Sequence, residues 1–362
     1  MTASMYAEDM ARGLYRKAGA VLERRRRGQL RLPKSTGATS PATVQFIVPD
    51  YNRPAGGVRV IYRHVDILNA AGIPAVVVHQ QKGFRCTWFD HQTPVTDSGS
   101  ARLGRDDIVV VPELDVDLMD RMPPGVRYVI FNQNTHLTWR RAPGEVDASY
   151  SDDAGLVGIV AVSAHNEEVL RYGFPDIDVH RIHISLDPAM FSPGEDVPPR
   201  LISYMPRRGR GDDTQVLELL RRRGVLDGWT VRPLDGLTHA EVAEALRCSR
   251  IFLSFTYQEG FGLPAAEAMA CGNYVIGYHG FAGREFFRPE FSAPIETGDV
   301  LAFSRAIEEA VLQDRSGPDW CRSRGLEASR FVLSEYAPDR EAKEVVALYS
   351  DLLDRSARSA AQ

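Results

Sequence analysis

What this chain lacks narrows it quickly. Its 362 residues contain no apolar run approaching the roughly 20 residues that span a bilayer. The leading stretch MTASMYAEDMARGLYRKAG is polar and mixed, without a signal peptide's apolar core. Cysteine is scarce: Cys86, Cys248, Cys271 and Cys321 stand singly with no CxxC spacing. That argues against a disulfide framework or a zinc site and points to a reducing cytoplasm. The acidic pairs Asp106-Asp107, Asp152-Asp153 and Asp212-Asp213 lack the Asp-x-Asp form followed by supporting ligands, so no metal site is expected. Asp212-Asp213 opens a helical pattern and is better read as its cap. Repeats, low-complexity tracts and nucleic-acid motifs are also missing, which removes nucleic acid from the expected partners.

Charge is unevenly spread. The net charge is −5, yet residues 1–34 carry nine Arg or Lys against Glu8, Asp9 and Glu23, so that segment is +6 and the remainder −11. A basic leading segment has the charge to touch an anionic membrane surface weakly, as a peripheral contact. A solvated helical extension explains it more simply.

Length favours about two or three domains, and the hydrophobic pattern supplies two of similar kind. After the basic segment, LPKSTGATSP reads as a turn-rich linker to about residue 41. Buried strands follow at 43–50, 74–79, 107–112, 126–131 and 157–162. A helix over VRVIYRHVDILNAAG puts Ile61, Val65 and Leu68 on one face. Continuous Val/Ile runs mark strands covered on both faces, as in a parallel sheet between helices. Residues 185–200 hold four prolines and read as an interdomain linker. Then the alternation restarts, with strands at 201–205 and 229–234 and helices over 213–224 and 238–248. The second of these opens on a capping box, Thr238 to Glu241. Helical patterns close the chain at about 299–313, 318–333 and 337–355. The expected fold class is therefore α/β, with two doubly wound, Rossmann-like domains. The divisions are 1–40 for the basic extension and linker, 41–187 for the first domain, 188–335 for the second and 336–362 for a final helix.

The stretch that organises the chain is RIFLSFTYQEGFGLPAAEAMACGNYVIGYHG, residues 250–280. Ile251 to Phe255 and Tyr274 to Tyr278 have strand length and composition. Between them, Gly260 and Gly262 let the backbone turn tightly and approach a ligand. Pro264 suits a first helical turn and Gly272 the position just past a helix end, so a helix is predicted over about 264–271. Free N–H groups and the helix dipole make its start a seat for phosphate. Glu259 on the loop and Glu267 in the first turn then border one pocket.

EGFGLPAAEAMACG resembles the Glu-x7-Glu motif of retaining glycosyltransferases of the GT-B fold, in particular the large family 4 type. The following GYHGFAGREFF, with Glu285, resembles that family's next glycine-rich loop. The resemblance implies two Rossmann-like domains facing across a cleft, with the last helix crossing back to the first. It implies that Glu259 contacts the donor sugar's hydroxyls. By the same carry-over, the Gly260, Phe261, Gly262 and Leu263 turn meets the diphosphate and Glu267 holds the ribose. It further implies Gly56 and Gly57 as a glycine loop near diphosphate and acceptor, and His136 in FNQNTHLTW as a histidine reaching the donor sugar. The family's usual arginine and lysine on the diphosphate are answered here by Arg207 and Arg208, with Arg210 beside them and no lysine. Their loop follows strand 201–205, at the carboxyl end where open α/β sheets bind ligands.

The implied activity is metal-independent, retaining transfer from a nucleotide-diphosphate sugar to a saccharide-like hydroxyl acceptor. The sugar nucleotide is a co-substrate, and no cofactor is implied. Two alternatives stand beside it: a GT-B epimerase or hydrolase of sugar nucleotides, and a non-catalytic sugar-nucleotide or glycan-binding scaffold. The segment FRCTWFDH (84–91) is a candidate wall of an acceptor groove, although core packing is the commoner explanation for such a run.

Overall fold

The structure, a computed structural model, describes residues 30–37, 42–139, 146, 150, 155–206, 211–317 and 319–360. Residues 1–29, most of the basic extension, and the Arg207-Arg208-Gly209-Arg210 loop lie outside the described residues.

Two parallel sheets carry the fold. The first has seven strands in the order β4-β3-β2-β6-β7-β8-β9. These are β2 (Val44–Ile47), β3 (Ala75–His79), β4 (Val95–Asp97), β6 (Ile108–Pro112), β7 (Arg127–Asn132), β8 (Leu156–Ala161) and β9 (Val179–Arg181). Its central strands are buried throughout, because Val/Ile runs between helical layers meet no water on either face. Helix α1 (Gly56–Ala70) follows β2 and buries Ile61, Val65 and Leu68 against the sheet. Shorter helices described in this half are α2 (Val116–Met119), α3 (Thr135–Thr138) and α4 (Ala164–Gly173).

The second sheet has the order β11-β10-β12-β13-β14. Its strands are β10 (Leu201–Tyr204), β11 (Thr230–Pro233), β12 (Ile251–Glu259), β13 (Tyr274–Phe281) and β14 (Ser292–Ile295). Helices α5 (Asp212–Arg222), α6 (His239–Arg247), α7 (Leu263–Ala270), α8 (Val300–Ser316) and α9 (Trp320–Glu335) cover it. The Thr238–Glu241 capping box at α6 is present in full. In each sheet the strand order reverses beside the first strand, and the carboxyl ends at that switch point open onto the same cleft. Two Rossmann-like units facing this way constitute the GT-B fold.

Several details differ from the sequence reading. The stretch read as a linker at 32–41 contains a strand, β1 (Lys34–Gly37), paired in parallel with β5 (Arg102–Gly104). Strand β14 was hidden by Pro294, which an edge strand tolerates because one side of its ladder is unpaired. β12 and β13 run past their apolar cores to Glu259 and Phe281, with a bulge between Thr256 and Glu259. Asp212 does not cap α5. The cap is Gly211, and the buried Asp212 carboxylate instead accepts hydroxyl hydrogen bonds from Tyr257 at 2.6 Å and Tyr278 at 2.9 Å.

The final helix, α10 (Pro338–Ala360), packs on α1. Its Glu341 is fully buried, takes the Ser185 hydroxyl at 2.5 Å, and pairs with Arg63 Nε at 2.9 Å and His64 Nε2 at 3.3 Å. Burial alone would raise the Glu341 carboxyl, but the His64 hydrogen bond and the Arg63 charge more than offset this and hold it below the ordinary 4.5. The halves also meet backbone to backbone: a Cβ built on Gly260 would stand 1.6 Å from the Gln133 carbonyl oxygen. Asn134 Nδ2 donates to the Gln258 carbonyl at 3.5 Å beside it.

Two outcomes follow from these contacts. Because the native Glu341 carboxyl is depressed, its contribution to stability is complete above pH 4.5 and drains as pH falls through the native value. Glu341→Gln should cost about 3 kcal/mol near neutrality, and chemical denaturation should show the gap to wild type closing in acid. A gap that stays constant into strong acid would refute the charged role. Gly260→Ala should hold the cleft open, raising the radius of gyration in solution scattering while circular dichroism stays unchanged. Gly194→Ala, which meets nothing within 4 Å, is the control; equal radii for the two variants would refute the contact.

Candidate functional site

The turn between β12 and α7 is the centre of the cleft. Gly262 is the N-cap of α7 with φ +97°, a left-handed conformation that favours glycine. Phe261 is buried and packs on the rings of Phe286 at 5.4 Å and Tyr336 at 4.9 Å, which fixes the turn from behind. No side chain caps α7 and no acidic residue occupies its first turn, so its positive end is left toward the cleft. Gly272 closes the helix with φ +82°, its N–H bonded to the Met269 carbonyl.

Opposite stands the start of α1. Gly56 and Gly57 do not precede this helix; they are its first two residues, behind Ala55 as an N-cap with no side-chain bond. A Cβ on Gly56 would come within 2.6 Å of Leu263 Cδ1, and one on Gly57 within 2.9 Å of Gln133 Oε1. Gln133 Nε2 in turn donates to the Gly57 carbonyl at 3.2 Å. The glycines therefore let two helix N-termini face each other across a cavity of about 650 Å³.

Seven of the residues singled out from the sequence line this cavity: Gly56, Gly57, Glu259, Phe261, Gly262, Leu263 and Glu267. Gly260 lies under the turn, against Gln133. From the second half the cavity is also lined by the apolar side chains Met205, Leu234, Leu237 and Val242, together with Asp235 and Gly236. Trp88 from the 84–91 segment forms part of the wall, whereas its neighbours Phe89 and His91 pack on Tyr62 at ring distances of 5.2 and 4.6 Å.

Glu267 is the fifth residue of α7, one turn deeper than the first-turn placement read from the sequence. It is buried, and Arg59 Nη2 donates to its Oε1 at 2.9 Å while His239 Nε2 lies 3.4 Å from the same oxygen. Burial pushes this carboxyl up, but the His239 hydrogen bond and the Arg59 charge outweigh it and the net direction is down. Neither Arg59 nor His239 was identified from sequence. The available signal was spacing: Arg59 lies three residues beyond Gly56 and shares its helix face.

His136 is not among the residues that line the cavity. It sits on α3, capped by Asn134, whose Oδ1 accepts from the His136 N–H at 3.1 Å. Its ring stacks on His165 at 5.1 Å and tilts against Phe281 at 5.5 Å. Phe281 has φ 67°, the single non-glycine residue with positive φ among the described residues. Burial and the nearby Arg284 charge push the His165 imidazole below its ordinary value. Glu285 accepts from the Ala164 N–H at 2.9 Å, from Arg181 at 3.0 Å and from the Tyr336 hydroxyl at 2.7 Å. It bridges the halves at the start of α4 and does not line the cavity. Arg207 and Arg208 lie outside the described residues.

Residues 228–323 match the model of the family described as glycosyl transferases group 1. The alpha-1,6-glucosyltransferase of Actinobacillus pleuropneumoniae serotype 7 is 25% identical over 321 residues, 84% of this chain and 93% of its own length. Among solved structures, sucrose-phosphate synthase from Thermosynechococcus elongatus has a TM-score of 0.66 at 15% identity, covering 87% of this chain and 100% of its own. Anabaena HepE in complex with UDP and glucose has a TM-score of 0.63 at 10% identity, with coverages of 87% and 100%. The two-sheet fold, the family match across the Glu259–Glu267 turn and the glucosyltransferase relative together support a GT-B glycosyltransferase.

Proposed function

We propose that this protein is a retaining glycosyltransferase that moves a sugar from a nucleotide-diphosphate sugar to a hydroxyl of a saccharide or glycan intermediate. One observation carries the reading: two helix N-termini without side-chain caps face a single cavity, and Glu259 and Glu267 stand in its wall. Opposed N-termini suit an anion that gains charge as its bond to the sugar breaks. The apolar lining by Leu234 and Leu237 has the character of a seat for a nucleobase, and Glu267 in the same wall offers an acceptor for ribose. The structural relative in complex with UDP and glucose is consistent with such a donor.

On this reading the acceptor hydroxyl attacks from the face the diphosphate leaves, and a departing phosphate oxygen takes its proton. Glu259 orients the sugar, and His136 approaches it from the first domain. Arg207 and Arg208 share the diphosphate charge with the turn's N–H groups, and the reading requires neither metal nor cofactor. Acceptor recognition falls to the first domain, toward Tyr51, Arg53 and Trp88. Among the described residues no helix is long and apolar enough to cross a membrane. Work in the cytoplasm, with weak membrane contact through residues 1–34, belongs to the same proposal.

A panel of nucleoside diphosphates and nucleotide sugars should raise the melting temperature with one base class. At about 100 times the dissociation constant the gain is roughly 2.7 kcal/mol, a shift of several degrees. Glu267→Ala should weaken that shift. Glu259→Ala should keep it while lowering transfer about 100-fold. Full transfer by Glu259→Ala would overturn its role, and release of free sugar alone, whatever acceptor is offered, would favour a hydrolase.

A further inference from the structure

The contact between Arg59 and Glu267 joins the two halves at the cavity wall. Arg59 rises from α1 of the first half and Glu267 from α7 of the second. Arg59 Nη2 lies 2.9 Å from Glu267 Oε1, and Arg59 Nη1 lies against both ring nitrogens of His239. His239, at the start of α6, is 3.4 Å from that same Oε1. Both protein partners thus converge on one carboxylate oxygen. Oε2 takes no hydrogen bond among the described residues, and Glu267 faces the 650 Å³ cavity. The three side chains also border a second hollow of about 440 Å³, so they are shared by the walls of both.

A buried carboxylate with one oxygen doubly held and the other open is an aimed acceptor. Two neutral hydroxyls alone would compensate its charge poorly in this setting, whereas a guanidinium does so well. A ligand therefore gains most by adding to the open oxygen and leaving Arg59 where it is.

Resting on the nucleotide-sugar reading above, we propose that Arg59, supported by His239, is a positioning residue for ribose recognition. It orients Glu267 so that Oε2 accepts from the hydroxyl pair of the donor's ribose. Since Arg59 belongs to the opposite half, it also makes that recognition conditional on a closed cleft. Opening the cleft withdraws the guanidinium, the carboxylate loses its fixed direction, and the ribose contact weakens. The arrangement selects ribonucleotides over deoxyribonucleotides by geometry set from across the cleft.

The test is calorimetric. UDP, GDP and ADP, each beside its 2′-deoxy counterpart, are titrated into wild type, Arg59→Ala and Arg59→Lys, with circular dichroism confirming that each variant folds. Wild type should bind its preferred ribonucleotide roughly tenfold or more tightly than the deoxy form, the scale of one charge-assisted hydrogen bond. Arg59→Ala should collapse that ratio to about threefold or less, by weakening the ribonucleotide while leaving the deoxynucleotide almost unchanged. Arg59→Lys should recover part of it, because lysine restores the charge without the fork. A ratio unchanged in Arg59→Ala overturns the inference, as does an equal loss for both forms, which assigns Arg59 to the phosphates or to the fold. Wild type binding both forms equally sinks the ribose role and leaves the nucleotide-sugar reading standing. Binding of none of these nucleotides by wild type sinks both.

Discussion

Everything in the cleft depends on how closely two backbones approach at Gly260 and Gln133. With no Cβ on residue 260, the β12–α7 turn rests directly on the carbonyl of the first half. That contact sets the distance between the N-terminus of α7 and the N-terminus of α1, where Gly56 lies under Leu263 and Gly57 under Gln133. Each helix end alone carries only a partial positive charge. Held face to face over one cavity they make a site whose field points inward from both sides. Glycine is required for this by space at 56, 57 and 260, and by backbone conformation at 262.

Electrostatics then joins what sterics brings together. Glu267, Glu285 and Glu341 all come from the second half of the chain, and each is answered by groups of the first. Glu267 meets Arg59, Glu285 meets the Ala164 N–H and Arg181, and Glu341 meets Arg63 and His64. Arg59, Arg63 and His64 lie within two turns of α1, so this one helix carries the glycine pair, the cavity-wall arginine and the clamp on α10. A shift of α1 moves all three together. Buried pairs of this kind contribute little net stability compared with apolar packing, but they penalise any other register strongly. They therefore specify the relative placement of the halves more than they stabilise either half.

Much of this was legible in the sequence, for definite reasons. The Val/Ile runs at 107–112 and 157–162 announced buried parallel strands, since only burial on both faces permits them. The EGFGLP turn announced itself through glycine and proline, whose backbone limits are intrinsic. Edge elements were not legible: β14 contains Pro294, and Lys34–Gly37 reads as turn until Arg102–Gly104 is brought beside it. Within the site, residues local to the turn could be named, while Arg59 and His239 could not, because their roles come from pairs 208 and 28 residues apart. Asp212 shows the same limit: local chemistry favours a cap, yet Tyr257 and Tyr278, distant in sequence, take its carboxylate.

On the proposed reading, closure of such a cleft bears on the choice between sugar and water as acceptor. A nucleotide sugar whose bond is weakened by opposed helix dipoles is exposed to any nucleophile that reaches it, and water is the most abundant. Excluding water strengthens the fixed dipoles and suppresses hydrolysis together. On the proposed reading, a carboxylate correctly aimed only when the halves are in contact ties tight ribose binding to the state from which water is excluded. An open cleft would hold the donor loosely and activate it little, and a closed one would hold it tightly and activate it. That link needs no moving lid. It requires only that Arg59 and Glu267 stand on opposite sides of the cleft, as they do here.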